Sequence, residues 1–72
     1  MDDNRAIQKL RSIMQTYVTK VQAAKVIQHT GNYGTYRPSE IAMALAHYRE
    51  CQEALKLAIG ALQDRADRAN DD

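Results

Sequence analysis

The chain has 72 residues, a single cysteine and a formal net charge of +1. That length gives one domain, residues 1–72, with a thin core, and chains of this size commonly lean on disulfides, a metal or association. A disulfide within the chain is excluded because Cys51 stands alone, and the longest apolar run, Ile41 to Ala46, is far too short to cross a bilayer.

His29, His47 and Cys51 form neither a C-x-x-C nor an H-x-x-x-H pair, so no metal ion or other cofactor is expected. Association with a second copy or with a partner is left as the expected source of further burial. A lone cysteine without a secretory segment reads as a cytoplasmic protein. The small net charge conceals a split. Residues 4–39 hold Arg5, Lys9, Arg11, Lys20, Lys25 and Arg37 and no acid, whereas residues 40–72 hold seven acids against four bases. Two readings follow: the first half meets an anionic partner, or the two halves pair with each other.

The first helix is expected over about residues 3–30. Asp2, Asp3 and Asn4 are favourable N-cap types, and acids there suit the positive end of the helix dipole. Ile7, Leu10, Met14, Tyr17, Val21 and Ala24 then recur in alternating steps of three and four, which puts them on one helix face. Ala6, Ile13, Val18 and Ile27 widen that stripe. Arg5, Lys9 and Lys20 fall together away from it, with no Glu four residues from any lysine to balance them. Gly31 is the expected C′ residue. A short β-hairpin around Gly31-Asn32 is the alternative ending.

Residues 31–37 form the expected bend. It holds two of the three glycines and two of the four tyrosines, and the only proline follows at once. Tyr33 and Tyr36 offer flat faces for stacking, and Arg37 offers a planar fork for phosphate. Thr30, Asn32 and Thr35 add short hydrogen-bonding groups, and Gly31 and Gly34 let backbone amides approach an anion. Lys25 lies within two turns of the bend. Lys20 lies further along and is expected to reach the bend of a neighbouring chain more easily than its own. The alternative reading gives these groups only structural work, with the tyrosines folded over the helix ends and Arg37 paired with Glu40.

The second helix is expected over about residues 38–67, with a frayed acidic tail at 68–72. Pro38 suits a first helical position and Ser39 is an alternative cap. The main stripe is Ile41, Leu45, Tyr48, Gln52, Leu55, Ile59, Leu62 and Ala66, flanked by Ala44, Cys51 and Ala58. Met43, Ala54, Leu57 and Ala61 form a second stripe round the other side. A helix apolar on two sides needs more than one neighbour, so the expected fold is all-α: two long helices in an antiparallel hairpin, assembled into an oligomeric bundle. Gly60, costly inside a helix, is expected at a close helix crossing.

No Ser-His-Asp, paired-carboxylate or phosphate-loop pattern stands out, so an enzyme is not expected. Cys51 reads as a small core residue, His47 as a surface or interface residue. Ser39-Glu40-Ile41-Ala42 resembles the second helix of a helix-turn-helix, but no turn and recognition helix follow.

Gly34-Thr35-Tyr36-Arg37-Pro38-Ser39-Glu40-Ile41-Ala42 resembles the glycine-tyrosine-arginine, serine, acidic, isoleucine opening of the helical-hairpin proteins that phages use to sequester cyclic oligonucleotides against bacterial cyclic-nucleotide immunity. In that family the opening precedes the hairpin, whereas here a long helix precedes it, so no site residue is carried over. The resemblance implies that a small helical oligomer bearing tyrosines and bases can be a nucleotide sponge.

The expected function is therefore that of a small homo-oligomeric binding protein. It sequesters a phosphate-bearing ligand, a nucleotide or cyclic oligonucleotide, through Tyr33, Tyr36, Arg37, Lys25 and Lys20, as a phage anti-defence protein would. The alternatives are an inhibitor or adaptor of phage or plasmid type that docks on a host protein, and a nucleic-acid binder acting through the basic first helix. No membrane partner is expected.

Overall fold

The computed structural model describes residues 2–69. All regular secondary structure among them is helical: α1, Asp3–Thr30, and α2, Pro38–Ala69. Asp2 starts α1 from an extended conformation, its carboxylate accepting the Arg5 amide at 2.7 Å and its carbonyl the Ala6 amide at 3.0 Å. Gly31 ends the helix in the left-handed region, φ +73°, and donates its N–H to the Ile27 carbonyl at 2.9 Å. No strand forms at Gly31-Asn32; the long helical period before it prevails.

At the start of α2, the Arg37 carbonyl accepts the amides of Glu40 at 3.0 Å and Ile41 at 3.3 Å. Pro38, the first helical residue, has no N–H to leave unpaired there. The helix is described through Ala69, two residues past the expected 67, and an Arg68–Asp64 pair at 3.2 Å braces its last turns. Of the expected tail, residues 70–72 lie outside the described residues.

The two helices lie side by side and antiparallel. At one end Arg65 of α2 grips Asp3 of α1 with two N–H groups, its Nε standing 2.7 Å from Oδ2. Near the bend Val21, Ala24, Ile41 and Leu45 form the core, with Ile27, Tyr33 and Tyr48 packed on it. Every residue of the two main stripes is buried or half-buried, as their spacing demands. The core is nonetheless one layer thick: no described side chain is fully buried, and the Cα envelope measures 55 × 18 × 15 Å.

Three features of the sequence find no counterpart inside the hairpin. The second stripe of α2 faces outward, with Met43 and Leu57 each 73% exposed. The helix crossing expected at Gly60 is absent among the described residues, where a Cβ at this position would meet nothing within 4 Å. The basic α1 does not neutralise the acidic α2 either. Among the described residues one ion pair joins the helices, and it sets an acid of α1 against a base of α2.

Candidate functional site

The bend builds its own shape. The Tyr36 amide donates to the Tyr33 carbonyl at 3.0 Å, closing a four-residue turn in which Gly34 takes φ +60°. Tyr33 is held inward, half-buried on the core, while Tyr36 is turned out and 58% exposed. Tyr36 thereby becomes one wall of a groove of about 300 Å³ between the helices. Lys20, Ala23, Ala24 and Ile27 line it from α1; Glu40, Ile41, Ala44 and Tyr48 line it from α2.

Within the groove the Lys20 ammonium stands 5.5 Å from the centroid of the Tyr48 ring, a cation–π placement. The Tyr17 and His47 rings flank Tyr48, each with its centroid at 6.0 Å. One turn along α2, the Cys51 thiol lies 3.7 Å from His47 Nε2. The same thiol, beside the Tyr17 hydroxyl, holds that phenol above the usual tyrosine range. His47 and Cys51 are thus adjacent, which the two ligand-pair patterns sought in the sequence did not capture. No group of three or more His, Cys, Asp or Glu side chains gathers among the described residues.

Of the five residues marked for binding, the structure brings Lys20 and Tyr36 together. Lys20 reaches the groove of its own chain rather than needing a neighbour's bend, because antiparallel pairing about Gly34 sets residue 20 opposite residue 48. Tyr33 packs on the core and is outside the groove lining. Lys25 is exposed and outside the groove lining. Arg37 is exposed beside Tyr36, with its carbonyl committed to starting α2. The weighed Arg37–Glu40 ion pair does not form among the described residues; Glu40 instead lines the groove.

Two supporting groups are committed elsewhere. The Thr30 hydroxyl donates to the Val26 carbonyl at 2.9 Å, and the Gly31 amide is bound in the helix cap. Conversely, Tyr48 and Glu40 belong to the groove, although the sequence pattern placed Tyr48 on the apolar seam and offered Glu40 as a partner for Arg37. No helix among the described residues is long and apolar enough to cross a membrane. No family model matches the chain, and no curated protein or solved structure matches it.

Proposed function

We propose that this protein is a helical-hairpin binding module that works as a homo-oligomer and sequesters a nucleotide-like, phosphate-bearing ligand in the groove between its helices. The observation that carries this reading is the convergence of Lys20, Tyr36 and Tyr48 on one small groove with an apolar floor. An ammonium that already sits over an aromatic ring is placed to meet a phosphate, and the exposed Tyr36 ring offers a stacking face for a base. The groove's volume, about 300 Å³, is at the small end of ligand pockets.

Glu40 narrows the choice. A carboxylate in the lining disfavours a ligand that is anionic throughout and favours one with a hydrogen-bond donor, such as a base amino group or a sugar hydroxyl, away from its phosphate. A nucleotide has that polarity. Sequestration by a module of this kind fits the role implied by the resemblance at residues 34–42, a phage counter to cyclic-nucleotide immunity.

A thermal-shift screen against mononucleotides and cyclic dinucleotides tests the proposal. A saturable rise in midpoint with one nucleotide class is expected. No shift with any of them would remove the reading. A second reading, an adaptor for a host protein, draws on the outward Met43 and Leu57; it would instead require a protein partner whose binding is lost in Leu57→Glu. Binding to a nucleic-acid polymer that weakens steeply with salt would move the function to α1.

A further inference from the structure

We infer that the outer stripe of α2 is the seat for α1 of a second copy of this chain, so that two hairpins close into a four-helix dimer. This rests on the homo-oligomer part of the proposed function and adds the interface to it.

The stripe is Met43, Glu50, Ala54, Leu57 and Ala61, all exposed. Its helical neighbours leave Glu50 alone: the residues three and four positions away are Ala46, His47, Glu53 and Ala54, none a lysine or arginine. No ion pair among the described residues includes Glu50. Any helix laid over Met43 and Leu57 therefore buries a carboxylate, which is tolerated only if that helix supplies a cation.

The chain carries such a helix surface. Arg5, Lys9 and Ile13 follow one another along one side of α1; Ile13 is 46% exposed, and no acid stands three or four residues from Lys9. The two surfaces are complementary: apolar side chains around an acid on α2, bases around an apolar side chain on α1. The alternative of α2 packing on α2 of the second copy fails on the same ground. It sets Glu50 against its own counterpart, or against Arg68 further along the stripe, which already pairs with Asp64 at 3.2 Å.

Because both halves of the match belong to one chain, a two-fold axis satisfies both at once and closes the assembly.

The test is sedimentation equilibrium across a concentration series, with helix content checked by circular dichroism. The wild-type chain should be a dimer. Glu50→Lys, and separately Arg5→Glu with Lys9→Glu, should each raise the dimer dissociation constant by about tenfold or more, because each sets like charges face to face. Mixing the two variants should restore a heterodimer, since each contact then regains opposite charges. A helical wild-type monomer throughout the series would overturn this interface and the oligomer reading together. A wild-type oligomer indifferent to both charge variants, or two weakened variants that do not rescue each other, would overturn the interface alone.

Discussion

Asp3 and Arg65 tie the free ends of the hairpin together, and their contact has a pH signature. The bond donated by Arg65 holds the Asp3 carboxyl below the usual carboxylate range. A carboxyl lowered in the folded state adds stability that is complete above its unfolded value and disappears as pH falls through its folded one. Asp3→Asn should therefore flatten the acid-side decline of the urea midpoint and leave the midpoint less sensitive to pH between those two values. An equally steep decline in the variant would mean that other carboxylates govern acid unfolding. Asp3 also suits the N-terminus of α1 on dipole grounds, so some stability at neutral pH should be lost as well. Arg65 is 68% exposed, which keeps the pair's contribution modest.

At the scale of the elements, both helices could be read from the chain. The three-four stripes set their faces, Gly31 and Pro38 set the inner boundaries, and Met43 and Leu57 already stood out as a second stripe. The groove was not legible in that way, because helical periodicity describes one helix at a time and the groove needs the register between two. That register is recoverable from the bend. Lys20 and Tyr48 stand equally far from Gly34 along the chain, as do Tyr17 and Cys51, and Asp3 and Arg65. Folding the sequence about Gly34 brings Lys20 and Tyr48 together. Tyr33 and Tyr36 were indistinguishable in sequence because only the turn closed between them sends one ring inward and the other outward. Gly60 gives an element-scale prediction. Its site is open within the chain, so Gly60→Ala should stabilise the hairpin by about 0.5–1 kcal/mol through helix propensity. Chemical denaturation measures this; a loss of stability would place another helix against Gly60 after all.

For the whole molecule, one layer of core and, among the described residues, a single ion pair between the helices leave two surfaces unspent. One is the outer stripe of α2. The other is the acid-free side of α1, whose lower end bears Lys20 and the groove. The outer stripe of α2 and Arg5, Lys9 and Ile13 of α1 fall to a second copy, and Lys20 with the groove falls to a ligand. Binding of a phosphate-bearing ligand in the groove is tested most directly by calorimetry with the nucleotide class found by thermal shift. Loss of a charge-assisted contact costs about 1.5–3 kcal/mol, and loss of a stacked base contact about 1–3 kcal/mol. Lys20→Ala and Tyr36→Ala should each weaken binding by about tenfold or more, with Tyr36→Phe close to wild type. Arg37→Ala should weaken binding less than Lys20→Ala, and Lys25→Ala, outside the groove, should change it little. Undiminished affinity in a Lys20→Ala/Tyr36→Ala double variant of unchanged helix content would contradict the claim and move the site off the groove.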